Sequence, residues 1–469
     1  MSPKRKTSAS EGVVAAGATI TVVNMIPKAL SGETWQDSEP SIAVNPENPS
    51  HIVGTAFTPD PFGGDLAPIY VSADGGLTWT LRSTVPSQQQ THDISGDFGG
   101  TNGTYYAGLL KVPGDLLLSI ARSTDVQSTK KMKRVAGTQD ADQPFVRSVA
   151  VGGRDRVYVG FNDLAKIPGA TASLFMSVDG AAPTPKFKKL RVEHRATGSA
   201  GQNGPQVRPA VHPSGVAYAA FYGWRAFDGA TNLVTADVVV TRDDSGGTGP
   251  KPFTDLVDPT DGVAGRIVAA GVRFTWNSRM GQQRLGGDIA IAVDPTNNQR
   301  VYLAWSDVQA AGYTVHLRRS NDGGRTWTPN DVRTIALATN PALAVNSAGK
   351  VGFLYQRLVG VGAAAHWRTI IERSAKGGGN WSTSILADVP ATFPVPQFQP
   401  YIGDYVGLTA VGKTFFGIFS ANNTPDPANF PNGVRYQRNA DFQGRRLLDV
   451  DGVTVVSPSI DPFFFKVSA

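Results

Sequence analysis

The chain has no cysteine among its 469 residues. That excludes disulfides and thiolate metal centres. It suits a secreted bacterial protein but excludes no compartment. Charge is sparse, at 17% of residues. The six histidines, His51, His92, His194, His212, His316 and His366, form no spaced ligand pair, so transition-metal catalysis is not expected. No cofactor is implied. A structural calcium held by aspartates and carbonyls is compatible with the composition but not indicated by it. No apolar run approaches the roughly 18 residues a membrane-spanning helix requires. The opening stretch "MSPKRKTSASEGVVAAGATITVV" is basic and polar and lacks the apolar core of a signal peptide.

What is present is strand and turn chemistry. Glycine and proline number 52 and 32, among many valines, threonines, serines and aromatics. The net charge is +6 and the isoelectric point about 9.3, which mildly favours anionic partners. The surplus is small, 44 basic against 38 acidic residues. Its dense runs are Lys4-Arg5-Lys6 and Lys130-Lys131-Met132-Lys133-Arg134, the second expected on an exposed turn. Neither interleaves aromatics, so no nucleic-acid partner is expected.

One pattern recurs: a polar residue, a short apolar strand, a turn, a second apolar strand. Clear copies are "DSEPSIAVNPENPSHIVGTAF" from Asp37 and "GGDIAIAVDPTNNQRVYLAWSD" from Gly286. Others start at Asp140, Asn203, Thr339 and Phe398, with a weaker copy at His92. A third strand follows each hairpin, and a fourth often begins at a tryptophan. Four strands repeated in this way predict an all-β protein, a seven-bladed β-propeller of four-stranded antiparallel blades. The weak second copy leaves six blades as the alternative count. Residues 1–16 read as a flexible basic tail and 17–469 as a single propeller domain. Gly17–Val23 and Asp461–Ala469 are the candidate strands for closing the ring, which removes a free edge.

The octapeptide "SADGGLTW" (Ser72 to Trp79) returns as "SNDGGRTW" (Ser320 to Trp327). Asp74 and Asp322 suit turn amides, the glycine pairs suit positive φ, and Trp79 and Trp327 suit packing between blades. Ser72, Asp74, Gly76, Trp79 and Ser320, Asp322, Gly324, Trp327 are therefore read as structural. Degenerate versions occur at "SVDG" (Ser177), "RDDSGG" (Arg242) and "SAKGGGNW" (Ser374). The pattern Ser-x-Asp-x-Gly-x-Thr-Trp resembles the Asp-box, or BNR repeat, of sialidase-like propellers. The resemblance implies that these turns lie opposite the active face. It also implies a glycan or polysaccharide partner, of which the net charge favours an anionic one, and an extracellular or periplasmic location.

The active face of such a fold carries the residues that start each innermost strand. These are Asp37 and Glu39; His92, Asp93 and Asp97; Asp140 and Asp142; Gln206 and Arg208; Arg284 and Asp288; Asn340; and Gln399, Tyr401 and Asp404. Trp224, in a long connection, is placed to stack on a sugar face or to pack.

Sialidases bind a substrate carboxylate through three arginines and attack through a tyrosine paired with a glutamate, with an aspartate as acid/base. A carboxylate suits bidentate guanidinium donors, and a neutral phenol avoids repelling an anionic sugar. "DYVGLTAVGKTFFGIF" is similar to the tyrosine strand and puts Tyr405 in that role, beside Asp404. Glu39 is the sole glutamate expected near the axis, with Asp37 next to it. The first inner strand, "DSEPSIAVNP", lacks the family's arginine; the nearest match is "QVRPAVHPSG" around Arg208, in the fourth repeat. Arg147, Arg208 and Arg284 are the candidate carboxylate binders, with His92, Asp142, Asp288, Trp224 and Tyr401 as further substrate contacts. The family's catalytic set is thus incomplete. The reading is a propeller that acts on or binds glycans without it. The alternatives are a non-catalytic propeller binding carbohydrate or protein, and a polysaccharide lyase using His92 with Tyr105, Tyr106 or Tyr401.

Overall fold

The structure is a computed structural model. It describes residues 18–57, 69–82, 91–111, 117–165, 171–195, 204–275, 287–309, 312–395 and 402–468. Among the described residues the regular structure is strand, apart from three short 3-10 turns at Lys28–Leu30, Gly362–Ala364 and Pro427–Asn429. No helix among them is long and apolar enough to cross a membrane.

Six four-stranded antiparallel sheets succeed one another, each ordered in sequence from inner to outer strand, as propeller blades are. Their inner strands are Ser38–Val44, Thr91–Phe98, Ala141–Val151, Arg208–Val211, Ile289–Asp294 and Ala338–Val345. Each inner strand packs on the next. The last packs on Gly407–Val411, which returns to Ser38–Val44.

The core is the layer between neighbouring sheets. Alternation along Ala217–Asp228 shows how this works. Tyr218, Ala220, Tyr222 and Trp224 enter one buried cluster, while Ala217, Ala219 and Phe221 enter another. A period of two therefore feeds both faces of the sheet, and neither face is left for solvent.

Gly407–Val411 begins a five-stranded sheet. It continues through Thr414–Asn422, Ile460–Ser468, Thr19–Asn24 and the two-residue strand Arg435–Tyr436. Both chain ends meet here, with Val23 opposite Phe464. Arg438 bolts the join. Its guanidinium donates to Asp461 Oδ2 (2.9 Å) and to the carbonyls of Ser31 (2.7 Å) and Glu33 (2.6 Å). Asn24 Nδ2 donates to the same Asp461 oxygen at 2.7 Å.

The octapeptides form near-identical turns. The Ser72 hydroxyl donates to Asp74 Oδ1 (2.8 Å) and accepts from the Gly76 amide (2.9 Å). Ser320 does the same at 2.8 and 2.8 Å. Asp74 Oδ2 and Asp322 Oδ2 each accept from a threonine hydroxyl at 2.6 Å. Both indoles donate to the carbonyl of the second glycine at 3.1 Å. Burial pulls the Asp74 and Asp322 carboxyls up, but the threonine and serine bonds outweigh it and hold both below the usual range. The amides of Gly75, Gly180, Gly323 and Gly377 reach carbonyls in the first hairpins of their sheets at 2.8 to 3.1 Å. These turns therefore lie on the face opposite the starts of the inner strands. The fourth strand starts at Thr80, next to Trp79, but in the fifth sheet it waits until Arg333, six residues past Trp327.

Candidate functional site

Four inner strands slip in register near their starts, one between Thr91 and Ile94 and three others with a proline in the gap. In those three, pairing skips between Ser38 and Ser41, Asp142 and Phe145, and Thr339 and Ala342. In each gap a proline (Pro40, Pro144, Pro341) follows a residue in the left-handed region: Glu39, Gln143 and Asn340 have φ of 51°, 53° and 54°. Proline has no N–H to offer the ladder, so a bulge forms there. The bulge side chains become braces. Gln143 Oε1 accepts from Asn162 Nδ2 at 3.1 Å. Asn340 Nδ2 donates to Gln356 Oε1 (2.9 Å) and to the Gly403 carbonyl (3.0 Å). Glu39 Oε1 accepts from the Asp404 amide at 3.3 Å. Glu39 thus occupies the same position as two amides that brace the fold.

Below the bulges the inner strands enclose a narrow cavity of about 30 Å³, lined by Ser41, Ser95, Phe145, Arg147, Gln206, Arg208 and Tyr405 among others. That is room for about two waters, not for a sugar ring. Arg208 is its centre. Its guanidinium sits 4.1 Å from the Phe145 ring centroid and 5.6 Å from that of Tyr405. It donates to Asp288 Oδ1 at 3.1 Å. Arg147 approaches the same Phe145 ring at 4.8 Å and lies 3.9 Å from Asp97. Burial pushes the Asp288 carboxyl up to about 6, against the pull of Arg208. Burial likewise lowers Arg147, with Asp97 opposing the shift.

Tyr405 is 3% exposed, and its hydroxyl donates to Asp93 Oδ1 at 2.5 Å. Burial raises its phenol well above 10, and the charges of Asp93 and Glu39 raise it further. Asp93 was visible only as one of several carboxylates at strand starts. Nothing in the sequence paired it with a residue 312 positions away.

The other candidates scatter. Asp404, beside the Glu39 carboxylate, is buried where the seventh sheet meets the first. Asp37 is fully buried and accepts from the Tyr70 hydroxyl at 3.4 Å. Asp142 Oδ1 accepts from the Gln143 amide at 2.8 Å. His92 is half-buried in the irregular stretch between Thr91 and Ile94. Trp224 is 4% exposed, donates to the Gly204 carbonyl at 2.8 Å and packs on Phe227 and Phe274, so protein covers its ring. Glu193 and Glu372 are also buried, but between sheets, paired with Arg225 and Arg333. Arg284 and Tyr401 lie outside the described residues. Among the described residues, no group of three or more His, Cys, Asp or Glu side chains is placed to hold a metal ion. The opposite end of the shaft widens to about 240 Å³ between Val44, Val211, Val293, Val345 and Val411.

No protein-family model and no curated protein matches the chain. Solved structures do resemble it. An α-L-arabinofuranosidase from Fusarium graminearum is 11% identical over 95% of this chain and 98% of its own, with a TM-score of 0.43. A glucose dehydrogenase is 10% identical over 96% and 99%, with a TM-score of 0.41. The NanB sialidase of Streptococcus pneumoniae is 10% identical over 85% and 66%, with a TM-score of 0.35. These three activities differ, and likenesses this distant carry no argument about chemistry.

Proposed function

We propose that the chain is a seven-bladed, sialidase-like propeller that engages glycans without the standard sialidase catalytic set. The glycan part of this reading rests on the octapeptide resemblance. The environment of Tyr405 carries the rest. A nucleophilic phenol must shed its proton, and Tyr405 holds its proton more tightly than a free phenol does. Its hydroxyl is committed to Asp93, and the cavity beside it admits about two waters. Arg208 and Arg147 are occupied with aromatic and carboxylate neighbours inside the fold. In this reading the shaft residues hold the blades together, and glycans are met outside the shaft.

A second reading, a hydrolase, is favoured by one observation. Tyr405 with Asp93 as base, and Asp288, whose carboxyl burial pushes up to about 6, lie on either side of Arg208 and supply a nucleophile, a base and an acid. Incubation with a mixture of acidic and neutral oligosaccharides, followed by mass spectrometry of the products, tests the pair. Retention of glycans without cleavage is the expected result. A cleaved product lost on Tyr405→Phe would overturn the first reading in favour of the second.

A further inference from the structure

The sequence shows one dense basic run inside the fold, Lys130 to Arg134. The structure gives it a neighbour. Lys133 and Arg134 open the outer strand of the second sheet, Lys133–Thr138, and Lys130 and Lys131 lead into it, exposed. The outer strand of the third sheet, Lys188–Arg191, and the turn before it add Lys186, Lys188 and Arg191, all exposed.

Arg122 joins the two groups. It lies directly across the ladder from Lys133. Its guanidinium donates to the carbonyls of Gly180 and Ala182, each at 2.6 Å, on the turn that leads to Lys186. A guanidinium locked onto fixed carbonyls sets the spacing between the two basic clusters, and this interlock is built into the blade interface.

Few acids face them. In the two segments 124–134 and 178–191 the carboxylates are Asp125 and Asp179. Asp179 lies 3.8 Å from Arg154, an exposed cation at the start of the second strand of the third sheet, Arg154–Asp163. Lys189 turns inward to Asp163 at 2.7 Å. Lys130, Lys133, Arg134, Lys186 and Lys188 have no ion-pair partner among the described residues.

We propose that this rim, formed by the outer edges of the second and third sheets, binds an acidic polysaccharide. Lysine ammonium groups are compact point charges suited to sulfates and carboxylates spaced along a flexible chain. Lys186 and Lys188 sit two residues apart, about 7 Å along an extended chain. Other polyanions fit less well. Phe187 packs into the core between the sheets, so the edge offers no ring for stacking unpaired bases. Val178 is the sole large apolar side chain exposed in these two segments, too little to insert into a bilayer. The surface lies away from the shaft and stands whether or not Tyr405 takes part in chemistry.

The test is retention of the full chain on immobilised dextran sulfate, with neutral dextran as blank and a salt gradient for elution. The variant K130Q/K133Q/K186Q/K188Q removes four charges from exposed ends and is expected to elute at clearly lower salt. Its dissociation constant for dextran sulfate should rise at least tenfold at about 0.1 M salt, where charge contacts dominate. A control, K350Q/K376Q/K413Q/R435Q, removes four exposed charges from other sheets and should elute with the parent. Tyr405→Phe should also elute with the parent, which separates this rim from the central site. Equal losses in the two fourfold variants would reduce the effect to net charge and overturn the proposal. So would no loss in the rim variant, or tighter binding of duplex DNA or of phosphatidylserine vesicles than of dextran sulfate.

Discussion

Replacing Tyr405 by phenylalanine separates a structural shaft from a catalytic one. The substitution keeps the ring over which Arg208 lies, at 5.6 Å, and removes only the hydroxyl that donates to Asp93 at 2.5 Å. A hydrogen bond to a charged acceptor contributes about 1.5–3 kcal/mol, and Asp93, 7% exposed, would lose that partner in a poorly hydrated place. Stability should therefore fall by about 2–3 kcal/mol. Urea unfolding monitored by tryptophan fluorescence reads this as a lower midpoint at unchanged slope. Asp93→Asn provides the internal check. It leaves a neutral acceptor for the same hydroxyl, so its cost should be smaller, about 1 kcal/mol. It should also bring the Tyr405 phenol back toward 10, because the Asp93 charge is among the causes that raise it. Glycan retention should match the parent in both variants. An unchanged urea midpoint in Tyr405→Phe would refute the structural assignment of this hydrogen bond.

Two further outcomes follow from the geometry. A Cβ on Gly76, at φ +92°, would stand 2.1 Å from the Phe464 ring, whereas one on Gly152, at φ +59°, meets nothing within 4 Å. Gly152→Ala should cost only the left-handed backbone penalty, about 1 kcal/mol, and Gly76→Ala an overpacking cost of a further 1–3 kcal/mol, compared by the same urea titration. His316 bonds Asp331 (2.7 Å) and Asp307 (3.1 Å), and its ring stacks on Trp305. Burial pulls its pKa down, but the two carboxylates outweigh burial and raise it to about 9. Because the folded value lies above the unfolded 6.5, this stability is fully present below pH 6.5 and disappears as pH rises through 9. The shift corresponds to about 3 kcal/mol. His316→Asn should flatten that part of the pH profile, and an equally steep profile in the variant would show that other groups produce it.

The repeat was legible because each blade must satisfy the same constraints. Its inner strand is covered on both faces, and Ser38–Val44 and Ala338–Val345 are buried throughout. Its hairpins need turn residues at fixed offsets, and the octapeptides announce theirs. The insertion in the seventh sheet was harder to read. "ANNTPDPANFPNG" looks like an exposed loop, yet Phe430 is 1% exposed and packs at a tilt against Phe463, and a small three-stranded sheet follows it. The register of apolar residues cannot show that a short proline-rich segment covers a ring-closing strand. The bulges were legible in principle: "EP", "QP" and "NP" recur at the same point of three repeats. Their shared meaning emerges only when φ values near 50° are seen at all three.

That shared position bears on how carboxylates near a propeller axis are to be read. A list of acidic residues at strand starts suggests an active site because the charges converge. Here the buried charges Glu39, Asp288, Asp93 and Asp37 can each be followed to a partner within the fold. Glu39 accepts from the Asp404 amide where Gln143 and Asn340 serve the other bulges, and Asp288 accepts from Arg208. Asp93 accepts from Tyr405, and Asp37 accepts from Tyr70. Gln143 accepts at its bulge as Glu39 does, while Asn340 braces its own by donating, so the bulge itself can be held without a carboxylate. A charge the fold does not need is where function has room to act. By that criterion Glu39 stands apart from Asp93, whose charge strengthens its bond to Tyr405. Glu39→Gln should accordingly be tolerated by the fold, with an urea midpoint close to the parent's. Any loss of glycan retention or turnover in that variant would then report on the charge itself.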